Sequence, residues 1–333
     1  MNSLTRIAEK LVAKDKGILA SDESTSTATD RLNSIGVEST KEMRRQWRQF
    51  LYATDGIEKY ISGVIMFDET IRQDSDSGDP LPEVLSKKGI IPGIKVDKGK
   101  IPIPFSEEEK VTEGLDGLRG RLEEYKEMGA KFAKWRGALY INEQKHLPSD
   151  YSIHLNAHAL ARYAALCQDS QVMPIVEPEV VMEGNHSIER CYEATKKTLQ
   201  AVFKELEQQK VDFSEILLKP NMVISGSEAD DQSEPSEVAE YTIKCLEETV
   251  PEEVPGIVFL SGGQTPERAT KNLNEINKKK PNPDWELSFS YGRALQREAL
   301  EAWKGKTNNV EEAQKTFLNR AQKISQARRG QLN

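Results

Sequence analysis

One lysine of this sequence stands inside an apolar run, where its side chain is expected to be buried. Residues 216–223 read Ile-Leu-Leu-Lys-Pro-Asn-Met-Val, so Lys219 follows three aliphatic side chains. A lysine in such a place must pair with a carboxylate or lose its proton more easily than usual, and the free amine is a nucleophile. Lys219 is therefore the first candidate for covalent chemistry.

Further charged residues lie at or near the carboxyl ends of other apolar runs. The cations are Lys95, Lys134, Arg136 and Arg293, and the carboxylates are Asp22, Glu177 and Glu179, with Asp68 and Asp97 as additional candidates. Side chains two apart on an extended chain share a face, so Glu177 and Glu179 can enter one pocket. Two carboxylates beside a lysine shift one another's pKa values, which would let one act as general acid and base. The alternative is a structural salt-bridge network with Lys134 and Lys219.

Two glycine-containing segments have the composition of phosphate-binding loops. Residues 260–263 read Leu-Ser-Gly-Gly and offer a hydroxyl with unshielded amides, and residues 291–293 read Tyr-Gly-Arg. Amides and guanidinium groups bind phosphate oxygens through charge-assisted hydrogen bonds. The residues predicted to bind phosphate here are Ser261, Gly262, Gly292 and Arg293.

The elements that carry these residues alternate along the chain. Eight apolar runs have the composition of parallel strands buried on both faces, and they cover residues 17–22, 63–68, 92–97, 131–136, 172–177, 216–223, 256–263 and 287–293. Helical segments are predicted between them, at residues 39–52, 117–128, 153–167, 187–209, 236–248, 266–278 and 293–303. Strand followed by helix, repeated over about 250 residues plus insertions, predicts an α/β fold of the (β/α)8 TIM-barrel type. Active sites of such barrels form where the candidate residues lie, at the carboxyl ends of the strands.

Additional helices are predicted at both ends of the barrel sequence, at residues 3–14 and 309–327. No Gly/Ser-rich linker divides the chain, so we expect one domain over residues 1–333, with the barrel at about 17–305 and a C-terminal helix and short tail at 306–333. The first residues of two helices can be predicted, because Ser39 and Glu42 have capping-box spacing and Pro266 suits a first helical position.

Composition argues against several other classes of function. The net charge of −8 disfavours nucleic acid as a partner. Cys167, Cys191 and Cys245 lack metal or redox spacing, and His154 and His158 lack a third ligand, so neither a metal nor another cofactor is predicted. No apolar run approaches about 18 residues and no signal-peptide core is visible, so we expect a cytoplasmic protein without a membrane partner.

Seven segments of the chain resemble the signature segments of class I fructose-1,6-bisphosphate aldolases, in the same order. They are Gly-Ile-Leu-Ala-Ser-Asp-Glu-Ser-Thr (17–25), Gly-Ile-Lys-Val-Asp-Lys-Gly (93–99), Phe-Ala-Lys-Trp-Arg (132–136), Val-Glu-Pro-Glu (176–179), Leu-Leu-Lys-Pro-Asn-Met-Val (217–223), Leu-Ser-Gly-Gly-Gln (260–264) and Phe-Ser-Tyr-Gly-Arg-Ala-Leu-Gln (289–296). The resemblance extends over about residues 7–327. It implies a lyase of glycolysis and gluconeogenesis, which cleaves fructose 1,6-bisphosphate reversibly and without a metal to dihydroxyacetone phosphate and glyceraldehyde 3-phosphate, through a lysine Schiff base.

The same resemblance implies a role for each candidate residue. Lys219 would form the Schiff base and Glu177 would be the main proton shuttle, supported by the charges of Lys134 and Glu179. Asp22 would handle the substrate hydroxyls around the broken bond. The C1 phosphate would be held by Ser261, Gly262, Gly292 and Arg293. The C6 phosphate would lie near Lys95, Arg136, Ser24 and Thr27, where the family usually has serine at the position of Thr27.

Two alternative functions stay open at the level of sequence. One is another Schiff-base enzyme of sugar phosphates, of the transaldolase or deoxyribose-phosphate aldolase type, which would not require two phosphate sites. The other is a non-catalytic binding protein with an aldolase-like body. Against the latter, unpaired buried charge costs several kcal/mol, and a protein without catalysis has no reason to keep buried lysines and carboxylates.

Assembly and proton exchange are also expectations from the resemblance. The family is commonly tetrameric, so we expect a homo-oligomer that takes a phosphorylated sugar as substrate. The animal and plant enzymes usually carry a mobile tail ending in tyrosine, which assists proton exchange at C3 of the enamine. The last tyrosine of this sequence is Tyr291, inside the eighth predicted strand, and residues 330–333 read Gly-Gln-Leu-Asn. We therefore expect proton return to depend on Glu177 or on water.

Overall fold

A closed barrel of parallel strands forms the centre of the protein. The computed structural model describes residues 3–106, 108–279 and 285–332. In chain order the strands are β1 (Gly17–Ser21), β2 (Ile61–Met66), β3 (Ile91–Lys95), β4 (Lys100–Pro102), β5 (Lys110–Thr112), β6 (Phe132–Tyr140), β7 (Met173–Val181), β8 (Leu217–Leu218), β9 (Gly256–Phe259) and β10 (Glu286–Tyr291). Around the barrel the order is β1-β10-β9-β8-β7-β6-β3-β2, and β4 and β5 form a separate antiparallel hairpin. The predicted α/β TIM barrel is confirmed.

Helices surround the barrel and close its sequence at both ends. They are α1 (Ser3–Leu11), α2 (Thr25–Asn33), α3 (Lys41–Ala53), α4 (Asp68–Ile71), α5 (Leu81–Lys87), α6 (Leu118–Glu127), α7 (Asp150–Asp169), α8 (Ile188–Gln208), α9 (Pro235–Glu247), α10 (Pro266–Lys279), α11 (Arg293–Trp303) and α12 (Val310–Arg328). The predicted additional helices correspond to α1 and α12. Within the described ranges, no helix has the length and apolar character needed to cross a membrane.

Two local predictions were wrong in detail. The sixth predicted strand, 216–223, contains only the two residues of β8 as regular strand, because Pro220 has no N–H with which to continue the ladder. The start of α3 is capped by Thr40, whose hydroxyl accepts a hydrogen bond from Met43 N at 3.1 Å, rather than by Ser39. The hydroxyl of Ser39 instead accepts a hydrogen bond from Thr29 at 2.8 Å.

The amino end of the barrel is closed by α1. Its residues Leu4, Ala8 and Leu11 are completely buried and belong to one apolar cluster with strand residues such as Ile65 and Leu217. Gly63 makes this approach possible, since a Cβ atom there would lie 2.3 Å from a methyl carbon of Leu11. The interior is thus filled at one end, which leaves the carboxyl end of the strands for a site.

The last helix fixes the position of α11, which follows the final barrel strand. Arg320 of α12 is 3% exposed. Its Nε donates to the carbonyl of Ala294 at 3.0 Å and its Nη2 donates to Thr270 Oγ1 at 2.6 Å. A buried guanidinium needs such acceptors, and here they tie α10 and α11 together beneath the carboxyl rim.

Candidate active site

The central residues of the site come from four barrel strands. Lys134 lies in β6 and Glu177 in β7, whereas Asp22 and Lys219 directly follow β1 and β8. The backbone N–H of Lys219 donates to the carbonyl of Val176 at 2.8 Å, which continues the pairing of β8 with β7 by one residue. This strand pairing is what places Lys219 beside Glu177.

These side chains form one buried chain of alternating charges. Lys134 Nζ lies 2.6 Å from Asp22 Oδ2 and 3.0 Å from Glu177 Oε2. Lys219 Nζ lies 3.0 Å from Glu177 Oε1. The side chains of Lys134, Glu177 and Lys219 are only 4–5% exposed, and that of Asp22 is 13% exposed. Two ammonium groups and two carboxylates balance one another, which is the condition for burying them together.

The neighbouring charges shift the pKa values of Asp22, Lys134 and Glu177. Burial opposes the ionisation of Asp22, but the ammonium groups of Lys134 and Lys219 outweigh it and hold the pKa of Asp22 well below its usual range. Burial likewise disfavours the charged form of Lys134, yet Asp22 and Glu177 raise the pKa of Lys134 well above its usual value. For Glu177 too, burial is outweighed by the two lysines, which lower its pKa. Glu177 is thus ionised before substrate binds.

Glu177 and Glu179 line the same cavity, but they have different ionic partners. Glu179 makes its ion pair with Arg136 on the neighbouring strand β6 and contacts neither Lys134 nor Lys219 among the ion pairs of the described residues. Burial opposes the charge of Arg136, but Glu179 and Glu177 raise the pKa of Arg136. The ionic partners of Glu177 are therefore two lysines, and their charges favour its carboxylate form over the acid.

The cations assigned to the C6 phosphate have carboxylate partners. Lys95 Nζ lies 2.6 Å from Asp97 Oδ1 and donates to the carbonyl of Asp97 at 2.8 Å. Arg136 is held by Glu179, as described above. A phosphate group arriving at this side would compete with two carboxylates for these cations.

The hydroxyl groups assigned to the same phosphate lie at the start of α2. Ser24 is the N-cap of this helix, and its Oγ lies 3.1 Å from Thr27 Oγ1. The two hydroxyls are adjacent to helix N–H groups, an arrangement that favours an anion. Helix α2 follows β1, which is separated from the β3 strand of Lys95 by β2 alone, and these hydroxyls line the same cavity as Lys95 and Arg136.

The residues assigned to the C1 phosphate follow β9 and β10. Gly262 has φ +55°, a left-handed conformation that favours glycine. At Gly292, which precedes α11, a Cβ atom would lie 3.1 Å from the carbonyl oxygen of Ala20, tighter than a side chain normally tolerates. Arg293 begins α11 and is exposed. Ser261, by contrast, is buried at 5% exposure.

Every predicted site residue lines one cavity of about 500 Å³ at the carboxyl ends of the strands. Asp97 lines it too, whereas Asp68 does not and instead pairs with Arg72 at 2.9 Å. The volume is in the range of small-molecule sites, about 300–1,000 Å³.

The cavity also contains residues that the sequence did not single out. Glu23 is one, a buried carboxylate 2.6 Å from Arg48 Nη2 and 3.0 Å from the side-chain amide of Gln296. Glu23 thereby connects the end of β1 to α3 and α11. In the sequence, only its position next to Asp22 could have indicated that it belongs to the site. The sequence also did not single out Met182. Its sulfur accepts the N–H of Gly263 at 2.9 Å, which connects the end of β7 to the loop after β9.

The two helical histidines bind a carboxylate. His154 Nδ1 and His158 Nδ1 lie 3.4 and 3.0 Å from the two oxygens of Glu205. Among residues 3–106, 108–279 and 285–332, no group of three or more His, Cys, Asp or Glu side chains could hold a metal ion.

The fold and the site together define a class of protein. A closed (β/α)8 barrel presents a buried lysine beside a carboxylate at the catalytic rim, and amide and guanidinium groups follow the last two strands. These are the parts of a barrel enzyme that uses an amine nucleophile on a phosphorylated substrate.

Comparisons with known proteins specify the family. A family model described as class-I fructose-bisphosphate aldolase matches residues 3–333. A Xanthomonas campestris pv. campestris protein named "Probable fructose-bisphosphate aldolase class 1" is 52% identical over 322 residues, or 96% of each chain. Fructose-bisphosphate aldolase 1 of Toxoplasma gondii is 50% identical over 327 residues, covering 98% of this chain and 90% of the relative. The chain belongs to the class I fructose-bisphosphate aldolase family.

A solved structure supports the same assignment. Fructose-bisphosphate aldolase from Plasmodium falciparum, in complex with TRAP and a small molecule inhibitor, has a TM-score of 0.97 and 48% sequence identity. The match covers 99% of this chain and 95% of that one. The family predicted from the seven sequence segments is confirmed, so the protein is a lyase, and nothing in these matches favours a transaldolase, a deoxyribose-phosphate aldolase or a non-catalytic protein.

Proposed function

We propose that Lys219 forms a Schiff base with C2 of fructose 1,6-bisphosphate, and that the residues of the cavity then cleave the C3–C4 bond reversibly. The observation that carries the proposal is the position of Lys219 Nζ, 3.0 Å from Glu177 Oε1 inside a buried, charge-balanced cluster. An amine is needed because a protonated imine at C2 accepts the electron pair of the broken bond far better than a ketone does.

Formation of the imine follows from the contact between Lys219 and Glu177. Transfer of one proton across this ion pair gives the amine that attacks C2 and the carboxylic acid that acts next. Proton transfer from nitrogen to the former carbonyl oxygen gives the carbinolamine, and Glu177 then protonates its hydroxyl, which leaves as water. Lys134 keeps its proton throughout because its neighbours raise its pKa, so its charge stabilises the carboxylates on either side.

Cleavage requires a base for the C4 hydroxyl. When that hydroxyl loses its proton, the C4–O bond becomes a carbonyl and the electron pair of the C3–C4 bond moves to the iminium as an enamine. Asp22 and Glu179 are the two candidates. Asp22 suits the role better, because it is the most exposed member of the cluster at 13%, whereas Glu179 is held by Arg136.

Two arcs of the barrel supply the phosphate sites. Strands β9 and β10 carry Ser261, Gly262, Gly292 and Arg293, which bind the C1 phosphate in this proposal. Strands β3 and β6 carry Lys95 and Arg136, which bind the C6 phosphate together with Ser24 and Thr27. In the order around the barrel, β10 stands across from β6 and β9 across from β3. A sugar with a phosphate at each end therefore spans the cavity with its C2 carbonyl near the centre.

The test is to trap the imine chemically. Borohydride reduction in the presence of dihydroxyacetone phosphate, followed by peptide mass mapping, should place a stable label on Lys219. A label on Lys134 instead would contradict the assigned roles. The reaction is proposed to be metal-independent, so EDTA should leave both labelling and turnover intact, and loss of activity restored by zinc would contradict the Schiff-base route.

The remaining expectations concern the whole molecule. In this proposal the chain is one domain of residues 1–333, works as a homo-oligomer of tetrameric form and is located in the cytoplasm, in keeping with a glycolytic family. Light scattering should give four chain masses, and limited proteolysis should release no independently folded half. A monomer of full activity would contradict the oligomer.

A further inference from the structure

The hydrogen-bond ladder between the two central catalytic strands is interrupted at the reaction centre. Alternate residues of a strand direct their peptide groups to the same neighbour, so Val176, Pro178 and Val180 of β7 all face β8. The carbonyl of Val176 accepts the N–H of Lys219 at 2.8 Å. The next residue in line, Pro178, has no N–H to donate. Regular pairing ends at Leu218, between the strands that carry Glu177 and Lys219.

The side chain of Asn221 fills this gap. Its Oδ1 accepts the N–H of Val180 at 2.9 Å. Its Nδ2 donates to Thr195 Oγ1 of α8 and to the carbonyl of Met222, both at 3.1 Å. The residue is 6% exposed. One amide therefore connects β7, the segment after β8 and the helix that packs outside them.

Asn221 is two residues after Lys219, and Val180 is the residue after Glu179. The bond between them joins β7 to the segment after β8 just beyond Pro178, where regular backbone pairing between the two has ended. We propose that Asn221 is a positioning residue that fixes the distance between Lys219 Nζ and Glu177. The inference rests on the proposed function, because it assumes that Lys219 is the Schiff-base lysine.

A positioning role differs from a merely structural one in what its loss changes. Widening the gap between β7 and β8 moves the nucleophile away from its proton acceptor, and a misplacement of about 1 Å can cost about a hundredfold in rate. The phosphate-binding residues lie on other strands, so their affinity for a ligand should not change. The signature is thus slower imine formation with unchanged binding.

The experiment uses Asn221→Leu, which keeps the branched shape of the side chain and removes both the acceptor and the donor. Single-turnover labelling of Lys219 by borohydride with dihydroxyacetone phosphate should slow by about 10- to 100-fold. Inhibition by a hexitol 1,6-bisphosphate, which has no carbonyl and forms no imine, should stay within about twofold of the original chain. Labelling at the original rate in the folded variant would overturn the proposal.

A matched control separates positioning from loss of stability. Thr242→Val removes another buried hydrogen bond to the same segment, in which Thr242 Oγ1 accepts the N–H of Val223 at 3.0 Å, a bond that does not involve β7. This variant should lose thermal stability but label Lys219 at the original rate. An equal slowing in Thr242→Val would also overturn the proposal, because any loosening of the segment would then suffice.

A second pair of variants decides the matter if Asn221→Leu does not fold. Thr195→Val removes one partner of the Asn221 amide and should slow labelling by a smaller factor, whereas Thr195→Ser keeps the hydroxyl and should label at the original rate. Identical rates in the two Thr195 variants would overturn the inference. Failure of the unchanged chain to label Lys219 at all is a different result, which removes the proposed function itself.

Discussion

The lysine–carboxylate cluster and the loops after the last two strands show opposite ways of placing charge. In the cluster, Lys134, Glu177 and Lys219 are almost completely buried and each has an ionic partner within 3.0 Å. At the end of β10, Arg293 is exposed and has no ion-pair partner among the described residues. One region is charge-neutral before any ligand arrives, and the other is not.

This difference separates chemistry from recognition. Buried charges without partners would destabilise the fold by several kcal/mol, so groups that move protons must be stored as ion pairs. A group that binds a phosphate dianion needs the reverse, since any resident carboxylate would compete with the ligand. The side with Lys95 and Arg136 is intermediate, because its cations have carboxylate partners. In the proposed function, the C6 phosphate at this side should therefore contribute less to affinity than the C1 phosphate at Arg293.

The largest effect should come from breaking the cluster at its centre. Glu177→Gln leaves an amide that cannot take the proton of Lys219, so kcat should fall by about 10²–10⁴, as for other general acid–base residues. Affinity for a hexitol bisphosphate should not change, because the phosphate ends are intact. The control is Glu193→Gln on α8, where the side chain is 67% exposed. This variant should leave kcat unchanged. An undiminished kcat in Glu177→Gln would show that the proton moves by another route.

Removing the unpaired cation should affect binding instead of chemistry. Arg293→Ala should raise KM about 10- to 100-fold, corresponding to the ~1.5–3 kcal/mol of a charge-assisted contact. The matched control is Arg297→Ala on the same helix, where the guanidinium pairs with Glu301 at 2.9 Å outside the active cavity. Fructose 1-phosphate should show the same defect in Arg293→Ala, because it keeps the C1 phosphate. An unchanged KM would place that phosphate elsewhere.

A smaller effect is expected on stability against pH. The pKa of Asp22 is lowered in the folded protein, so its contribution is present above the unfolded pKa, about 3.9, and is lost as pH falls from there toward the folded value. The unfolded state binds the proton first, and the free energy of unfolding therefore decreases. Asp22→Asn should cost about 2 kcal/mol at neutral pH and then lose stability less steeply below about pH 4. Urea denaturation of the original protein and of Asp22→Asn at several pH values measures the free energy of unfolding of each. If both free energies fall with pH at the same slope, the lowered pKa of Asp22 is contradicted.

The strands and the central site could be predicted from sequence for one physical reason. A buried parallel strand must be apolar along its length, so a charged residue such as Lys219 or Glu177 at its end stands out. The carboxyl ends of parallel strands meet at one rim, which brings residues far apart in sequence into one cavity. The closed barrel was predicted in this way, whereas the aldolase family was predicted from the resemblance of seven sequence segments.

Three features of the structure were not predicted from the sequence: helix α2, the β4–β5 hairpin and the ionic partner of Glu179. Helix α2 begins Thr-Ser-Thr-Ala-Thr, with only Ala28 and Leu32 buried, so it has no apolar periodicity to detect. The strands of the β4–β5 hairpin are three residues long and have the same weakness. Glu179 pairs with Arg136 rather than with a lysine, although the register of β6 against β7 places Arg136 opposite Glu177, and no local sequence pattern records this pairing.

The smallest effect on catalysis is expected from removing residues 331–333, which follow α12. Arg328 of α12 donates to the carbonyl of Ala13 at 2.7 Å and pairs with Glu286, so it lies where β1 and β10 begin, at the opposite rim from Lys219. The N–H of Leu332 donates to Asn274 Oδ1 at 2.8 Å. Residues held there cannot reach the cavity without leaving these contacts.

Deleting residues 331–333 should therefore leave both cleavage and proton exchange at C3 of the enamine nearly unchanged. The deletion removes no titratable side chain, and the enamine can take its proton from Glu177 or from water. The measurement is the rate of tritium or deuterium exchange into dihydroxyacetone phosphate beside the rate of cleavage. A tenfold fall in exchange alone, about 1.4 kcal/mol of barrier, would show that this end detaches and acts at the opposite rim. Equal rates would show that residues 331–333 take no part in cleavage or in proton exchange.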